Sequence, residues 1–316
     1  MTWYHGADGN PFCRHYRRRQ LPQFLAKVDV LYVRVDWNLA TVRRMWMKRL
    51  RLGRLPVVWE LNGLPEELFY LGRSEDELRK VVEELRSYAV RVDAAIAVTE
   101  KIERFLAQDV GVRRTYCIPN GSDPKLFGPG PESSKSLGPL QIVWIGTSRS
   151  GWHDLDTLLS AAQTLAASDA NVLFRIYGDP SFLPNDLPSN TRACGAVPYS
   201  EMGRTISDAD VGLHLFKPLG EIRVEGSPLK LFDYMASGLA VIAQDEGQRG
   251  AIIRQREVGL TTSGAPDDLA RQISKLEQDR DLCRRFGENG RLAVEEYYNW
   301  DRAAEETEAV LRGVLK

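Results

Sequence analysis

The sequence predicts an α/β protein with two doubly wound domains that face each other across a cleft. Short apolar runs alternate with amphipathic helical patterns along most of the 316 residues, as expected for parallel strands connected by helices. A stretch rich in proline, glycine and serine at 128–139 interrupts this alternation, which then resumes. Ligands of such sheets bind beyond the carboxyl ends of the strands, so the turns after the strands are the first candidates for chemistry.

The composition is that of a globular protein. Hydrophobic residues make up 43% of the chain and charged residues 27%, which is too apolar for a disordered protein. No run approaches the roughly 18 apolar residues of a membrane-spanning helix, and Met1–His5 lacks the layout of a secretory signal, so we expect a cytoplasmic protein. The cysteines and histidines are too scattered for a zinc ribbon, a disulfide framework or a paired-histidine site.

Basic residues are concentrated at the start of the chain. Residues 1–56 hold twelve Lys/Arg and three Asp/Glu, a balance of +9, whereas the remainder has a balance of −10. A predicted helix at about 38–52 interleaves basic residues with Leu39, Val42 and Trp46. Such a helix can lie on an anionic membrane surface, as a peripheral contact on its inner face, with about 1 kcal/mol per basic residue. The alternative is a helix that buries its apolar face in its own domain and leaves its basic face in solvent.

Four strands and three helices are predicted before the linker. The strand patterns lie at 30–35, 56–61, 94–98 and 115–118, and the helical patterns at about 38–52, 74–89 and 100–108. Ser74 and Glu77 form the capping-box pattern at the start of the second helix. The fourth strand ends in the turn Pro119–Asp123.

The chain after the linker predicts a second sheet. Its strand patterns lie at 141–145, 171–177, 192–197, 211–216, 240–243 and 258–262, and its helical patterns at about 153–167, 199–208, 228–237 and 266–279. We therefore predict a first domain over 1–127, a linker over 128–139 and a second domain over 140–299.

The clearest chemical signal comes from the segment 225–238. Ser227 is a good N-cap, Pro228 suits the first helical position and Gly238 suits the exit, so a short helix is predicted between them. Its N-terminus offers free N–H groups and a partial positive charge to an anion. Lys230 adds a cation where the helix dipole disfavours one, which makes sense if a phosphate docks there. A surface helix with an incidental lysine explains the pattern equally well.

Two acids accompany that helix N-terminus. Glu225 lies just before the helix, and Asp233 lies further along it. Glu225 could hydrogen-bond hydroxyl groups near a bound phosphate, and Asp233 could accept hydrogen bonds from a vicinal diol. A ligand that carries both phosphate and hydroxyl groups would use all three charged side chains.

This segment resembles the signature of the family 4 retaining glycosyltransferases, in which seven residues separate two glutamates. Here the pair is Glu225 and Asp233, so the second acid is one methylene shorter. Three further segments resemble family motifs in the right order: Ile118–Asp123 followed by Phe127, Val143–Leu159, and Asn299–Asp301. The resemblance covers about 55–316. It implies the GT-B fold, with two Rossmann-like domains and a C-terminal helix, here 300–316, that crosses back to the first domain.

The resemblance also implies roles for individual residues. Glu225 would contact the hydroxyls of the donor sugar, and Asp233 would hold the nucleotide ribose. Lys230 and the amides of Gly226 and Ser227 would bind the diphosphate. These contacts carry the main chemical task, because negative charge grows on the leaving diphosphate, and each charge-assisted hydrogen bond contributes about 1.5–3 kcal/mol. The front-face reaction of the family has no settled protein nucleophile, and we assign none.

A phosphate loop and a base subsite are implied in the same way. The loop after Gly146, with Thr147 and Arg149, would close over the diphosphate. The backbone of Gly195 and Val197 would meet the base.

Three departures from the family pattern modify these expectations. Thr147 and Ser150 stand in place of an arginine and a lysine, which leaves Arg149 as the basic residue of the phosphate loop. Asn62 stands at a catalytic position where many members have a histidine, so proton transfer is replaced there by hydrogen bonding. The predicted strand 56–61 comes so early that we expect either a fragment or a reduced, incomplete first domain.

The first functional hypothesis is a retaining hexosyltransferase that moves a hexose from a nucleotide-diphosphate sugar to a glycan or lipid-linked acceptor. The alternative is a non-catalytic GT-B-like binding module or subunit that has lost turnover, which the short first domain and the depleted phosphate loop favour. A sugar-nucleotide epimerase is less favoured, because we interpret His153 as a helix start and His214 as a packed strand-end residue. Nucleic-acid binding is not expected, since no aromatic platform accompanies the basic residues. We expect no metal and no cofactor, with the nucleotide sugar as co-substrate.

Overall fold

A computed structural model describes residues 29–37, 39, 55–130, 138–146, 153–179, 181, 183–217 and 225–315 of the chain. These residues form two parallel β-sheets, one of four strands and one of six, with helices between the strands. The predicted α/β class is therefore confirmed.

The four-stranded sheet has its strands in chain order, and every neighbouring pair is parallel. Its strands are β1 (Leu31–Arg34), β2 (Val57–Leu61), β3 (Ala94–Ala97) and β4 (Thr115–Cys117). All four residues of β3 are buried, as expected for a parallel sheet that is covered on both faces.

The six-stranded sheet has the order β10-β9-β8-β5-β6-β7 and is also parallel throughout. Its strands are β5 (Leu140–Ile145), β6 (Val172–Tyr177), β7 (Thr191–Gly195), β8 (Val211–His214), β9 (Ala240–Gln244) and β10 (Gly259–Thr262). The chain enters at β5, runs outward to β7, and returns to β8 on the other side of β5. The carboxyl ends of β5 and β8 therefore form a topological switch point, where doubly wound sheets bind ligands.

The described helices that were predicted end within a few residues of their expected limits, whereas two helices, Gly247–Arg256 and Arg280–Glu296, were not predicted. The helices are α1 (Glu75–Ala89), α2 (Glu100–Arg104), α3 (Leu155–Ala167), α4 (Tyr199–Ile206), α5 (Leu229–Ala236), α6 (Gly247–Arg256), α7 (Pro266–Gln278), α8 (Arg280–Glu296) and α9 (Trp300–Gly313). A 3₁₀ helix, Pro65–Leu71, precedes α1, and α2 continues as the π-helical turn Phe105–Val110. The capping box is confirmed, because the Ser74 side chain accepts from the Glu77 N–H at 3.3 Å and the Ser74 N–H donates to Glu77 Oε2 at 2.9 Å.

The C-terminal helix α9 packs against the four-stranded sheet. Val310 and Leu311 are buried in the cluster on one face of that sheet. Just before α9, the chain crosses beside Ser122: the Ser122 N–H donates to the Tyr298 carbonyl at 2.9 Å, and the Trp300 N–H donates to the Ser122 carbonyl at 3.3 Å. The start of α9 is thereby tied to the turn after β4.

Part of the predicted organisation lies outside the described residues. This applies to the basic helix at 38–52, apart from the buried Leu39, and to most of the linker. Where the structure does describe the chain, no helix combines the length and the apolar character needed to cross a membrane.

Candidate functional site

The candidate site begins at the switch point, where β5 ends at Ile145 and Gly146 follows. The Gly146 N–H donates to the Tyr177 carbonyl at 3.0 Å, which continues the pairing of β5 with β6. A Cβ atom at Gly146 would lie 2.1 Å from the Trp144 ring. Any larger residue at position 146 would therefore collide with the Trp144 ring unless that ring moved.

Lys230 reaches this strand end from the first turn of α5. Its Nζ donates to the Ile145 carbonyl at 2.6 Å and lies 3.1 Å from His153 Nε2. The same ammonium group lies 5.4 Å from the centre of the Trp144 ring. Burial lowers the pKa of Lys230 to about 8, from its ordinary 10.5. Lys230 therefore places a basic group at the carboxyl edge of the sheet, beside a histidine.

Helix α5 begins at Leu229, and Ser227 does not cap it. Instead, Ser227 Oγ accepts from the Asn120 N–H at 3.0 Å, and the Ser227 carbonyl accepts from Asn120 Nδ2 at 2.7 Å. The predicted N-cap role of Ser227 is wrong because the turn after β4 uses its hydroxyl group. Gly226 lies at the same junction, where a Cβ atom would be 3.3 Å from the Asn62 carbonyl oxygen.

Glu225 is buried where the two sheets' loops meet, with 5% of its surface exposed. Across the junction, Lys101 Nζ on α2 lies 4.0 Å from Glu225 Oε2. Gly247 begins α6 with φ 51°, and a Cβ atom there would lie 2.7 Å from the same oxygen. The glycine therefore makes room for the Glu225 carboxylate at the N-terminus of α6.

Two buried side chains lie near the end of β8 and the start of α6: His214, which was interpreted correctly as a packed strand-end residue, and Arg249, which sequence reasoning missed. Arg249 donates to Glu246 Oε2 at 2.5 Å, and its guanidinium lies 4.7 Å over the Phe216 ring. His214 is enclosed at the end of β8, and its desolvation, together with the charge of Arg249, holds its pKa well below 6.5. Arg249 follows a charged run in the sequence, so no local signal distinguished it from a surface arginine.

Asp233 points from α5 into the junction between the sheets. Ser122 Oγ donates to its Oδ1 at 2.6 Å, and the Tyr199 hydroxyl lies 3.2 and 3.3 Å from Oδ1 and Oδ2. Burial raises the pKa of Asp233 to about 6, against the opposing effect of these two hydrogen bonds. Tyr199 is 54% exposed. The acid predicted to bind a diol therefore holds two hydroxyl groups of the protein itself.

The residues predicted to meet a base lie just after β7. Gly195 adopts φ 75°, and its carbonyl accepts from the Gly178 N–H at 3.0 Å. Val197 is half-buried against the core that contains α5. Thr147 and Arg149 lie outside the described residues.

Asn62 follows β2 on the opposite side of the junction. Its Nδ2 donates to Glu60 Oε1 at 2.7 Å, and the Tyr32 hydroxyl donates to Glu60 Oε2 at 2.5 Å. Asn62 Oδ1 is buried and has no hydrogen-bond partner within the described part of the chain. The chain Tyr32–Glu60–Asn62 therefore fixes the amide and leaves an acceptor for a ligand donor.

A cavity of about 910 Å³ opens beside Glu225, with walls from α2, α6 and α9. Its volume is near the upper end of the roughly 300–1,000 Å³ typical of ligand pockets. The Arg256 guanidinium stacks 4.2 Å from the Tyr297 ring centre, and that of Arg302 lies 5.3 Å from it. Gln248 adds an amide to the wall and donates to the Val98 carbonyl across the junction at 2.8 Å. Charged, amide and aromatic groups of this kind suit a ligand with many hydroxyl groups.

Three Asp-x-Asp spacings, a pattern typical of metal-dependent glycosyltransferases, occur at 154–156, 208–210 and 279–281, and their aspartates have structural partners. Asp154 accepts from the Thr157 N–H at 3.1 Å and so caps α3. Asp208 pairs with Arg175 at 2.9 Å. Asp210 accepts from the Gln141 N–H at 2.8 Å. The expectation of a metal-independent site stays a prediction.

Comparisons with known proteins show the fold and a family likeness in the second half of the chain. A family model described as glycosyl transferase-like matches residues 156–309. No curated protein matches the sequence.

Three solved structures illustrate the likeness in fold. Sucrose-phosphate synthase from Thermosynechococcus elongatus has a TM-score of 0.68 at 19% identity, covering 94% of this chain and 76% of that one. HepE from Anabaena, solved with UDP-glucose, has a TM-score of 0.70 at 18% identity, covering 93% and 81%. A glycosyltransferase from Rickettsia africae has a TM-score of 0.70 at 15% identity, covering 100% and 85%. The GT-B fold implied by the sequence motifs is confirmed.

Proposed function

We propose that the protein transfers a hexose from a nucleotide-diphosphate sugar to a glycan or lipid-linked acceptor with retention of configuration, because residues 156–309 match the glycosyl transferase-like family model and the chain has the GT-B fold. The observation that carries the proposal is the position of Glu225 and Lys230. Both lie where the carboxyl ends of the strands meet the facing domain, and Glu225 lines the large cavity there. Both side chains contact polar groups at this junction.

In this proposal the donor lies along the carboxyl edge of the six-stranded sheet. Its diphosphate binds at Lys230 and the N-terminus of α5, together with the loop of Thr147 and Arg149. Its base lies against Gly195 and Val197. Lys230 stabilises the negative charge that grows on the leaving diphosphate, which is the largest electrostatic demand of the reaction.

The ribose subsite requires an exchange of hydrogen bonds at Asp233. The ribose hydroxyls replace the Tyr199 hydroxyl, whose contacts of 3.2 and 3.3 Å are longer than the 2.6 Å bond from Ser122. Because Tyr199 is largely exposed, its ring can move aside without opening the core.

The transferred hexose and the acceptor meet at Glu225. The carboxylate accepts from hydroxyls of the hexose, and Asn62 contributes its free Oδ1 from the facing side. The acceptor enters through the cavity between α2, α6 and α9, whose aromatic and amide groups suit a glycan. We propose the division 1–127, 128–139 and 140–299 for the two domains and their linker, with 300–316 attached to the first domain.

A donor screen tests the proposal. The protein is melted in the presence of UDP-, GDP-, dTDP- and ADP-sugars, with UDP-glucose first because HepE was solved with it. One nucleotide class should raise the melting temperature, and Asp233→Ala should remove that shift. Release of free nucleotide from the same donor should be abolished in Glu225→Ala and retained in Glu83→Ala, an exposed glutamate of α1. No shift with any donor would contradict the proposal.

A non-catalytic binding module is the second candidate. Asp233 and Lys230 both hold partners within the protein, which favours a fold that persists without turnover. A thermal shift without nucleotide release, in the presence of a glycan mixture as acceptor, would support this alternative.

A further inference from the structure

Two basic side chains are in contact at the switch point. Lys230 Nζ and His153 Nε2 lie 3.1 Å apart, although one belongs to α5 and the other precedes α3. A hydrogen bond between two nitrogens requires a lone pair on one of them, whichever carries the proton. The pair is therefore one proton short of its full charge in this arrangement.

The surroundings of the pair are basic. Arg249 on α6, Lys230 and His153 all lie close enough to His214 on β8 to lower its pKa. Among the described residues, Lys230 forms no ion pair with a carboxylate, and burial is the cause of its lowered pKa. Acids on the neighbouring segments have other partners: Asp154 caps α3, Glu246 pairs with Arg249, and Glu225 faces Lys101. Within the described residues, Lys230 therefore lacks the carboxylate partner that a buried ammonium group normally has.

Aromatic rings hold the imidazole in place. The Trp144 ring meets the His153 ring edge-on, with centroids 5.6 Å apart, and the Phe216 ring is stacked at 6.4 Å. His153 and Phe216 also form an antiparallel bridge. His153 is neither fully buried nor fully exposed. The rings therefore fix its position, while part of its surface stays exposed.

We infer that His153 and Lys230 together bind the diphosphate of the donor, and that the pair takes up a proton from solvent when the diphosphate binds. This inference rests on the proposed function and names a residue that takes over from the missing basic residues of the phosphate loop. When phosphate oxygens replace the contact between the two nitrogens, each nitrogen donates to an oxygen. The lone pair that joined them then accepts a proton from solvent, and the pair reaches a charge of +2.

Calorimetry of nucleotide binding tests the inference. UDP, GDP, dTDP and ADP are titrated into the full chain between pH 6 and pH 9, in two buffers of different ionisation enthalpy. Binding should be accompanied by the uptake of a fraction of a proton near neutral pH. This uptake is measured as a difference in binding enthalpy between the two buffers. The affinity for the diphosphate should fall by about tenfold as the pH rises through 8, because Lys230 loses its charge in the ligand-free protein.

Three matched measurements separate a phosphate contact from a structural role. His153→Ala should weaken the diphosphate about tenfold and leave the parent nucleoside unaffected. His153→Gln, whose amide group donates a hydrogen bond and does not titrate, should keep part of the affinity and reduce the proton uptake. Lys80→Ala, an exposed lysine of α1, should change neither. The ligand-free melting temperature of each variant shows that it is folded.

The outcomes distinguish the two levels of the proposal. If the wild type binds a nucleoside diphosphate and His153→Ala binds it equally well with the same pH profile, the inference is overturned and the proposed function stands. If the wild type binds none of the four diphosphates, the proposed function fails and the inference with it. Equal losses for nucleoside and diphosphate in His153→Ala would also overturn the inference, because they indicate a general distortion.

Discussion

The contribution of Asp233 to the free energy of unfolding depends on pH. Its pKa is raised from 3.8 to about 6 by burial, so the folded protein binds this proton more tightly than the unfolded chain. The stabilisation from this group is complete below pH 3.8 and is lost as the pH rises through 6. We predict that Asp233→Asn raises the free energy of unfolding by about 1–2 kcal/mol above pH 7 and by nothing below pH 4. Urea denaturation over this pH range measures the difference.

The control for this prediction is Asp281→Asn, whose side chain is 87% exposed and paired only along its own helix. That change should stay within about 0.5 kcal/mol at every pH. An Asp233→Asn protein that is less stable than the wild type at pH 8 would show that the Ser122 and Tyr199 hydrogen bonds outweigh the desolvation cost. The pH-dependent account of Asp233 would then be wrong.

At the scale of the element, the start of α6 positions Glu225. Gly247 combines a positive φ of 51° with a space so tight that an added Cβ would lie 2.7 Å from Glu225 Oε2. We predict that Gly247→Ala costs about 1 kcal/mol of stability and lowers nucleotide release by about 10² or more, because the carboxylate is displaced. Thermal unfolding and the release assay measure the two effects.

Gly111→Ala separates backbone strain from crowding. Gly111 has a φ of 85°, and an added Cβ there would meet nothing within 4 Å. Gly111→Ala should lose about as much stability as Gly247→Ala and should release nucleotide at the wild-type rate. Equal activity losses in the two variants would refute the role assigned to the close approach of Gly247 to Glu225.

At the scale of the whole molecule, charge is divided between the start of the chain and the rest. Residues 1–56 have a balance of +9 and the remainder a balance of −10. We predict binding to vesicles that contain phosphatidylserine and none to neutral vesicles, with loss of binding at high salt. Co-sedimentation measures it, and replacing Arg43, Arg44, Lys48 and Arg49 with glutamine should remove about 4 kcal/mol of the attraction.

The matched control for the vesicle experiment replaces four exposed basic residues of α7 and α8: Arg271, Lys275, Arg284 and Arg285. That protein should bind anionic vesicles as the wild type does. If both sets of changes act alike, the attraction reflects overall charge and the segment at 38–52 has no special part in it.

Local patterns predicted the strands of both sheets and most of the helices, although α6, α8 and the 3₁₀ helix Pro65–Leu71 were not predicted. The alternation of apolar runs and amphipathic helices predicted both sheets. A strand that is buried on both faces appears as a continuous apolar run, and a helix appears as a 3.6-residue period, so both can be recognised within a short segment. The capping box at Ser74 was predictable for the same reason, since its two partners are three residues apart. The segment 225–238 was recognisable from its spacing of Glu225 and Asp233 and from its helix punctuation.

The contacts that make up the candidate site were decided by the tertiary structure. Ser227 does not cap the helix because its hydroxyl accepts a hydrogen bond from Asn120, which is 107 residues away. Asp233 accepts a hydrogen bond from Ser122, which is 111 residues away. His153 meets Lys230 across 77 residues because β5 and β8 are neighbours at the switch point. The sequence by itself thus determined the strands, most of the helices and which segment carries the charged groups. Only the crossing of the chain between two sheets decided which side chains meet, because pairing energies between distant residues leave no local periodicity to detect.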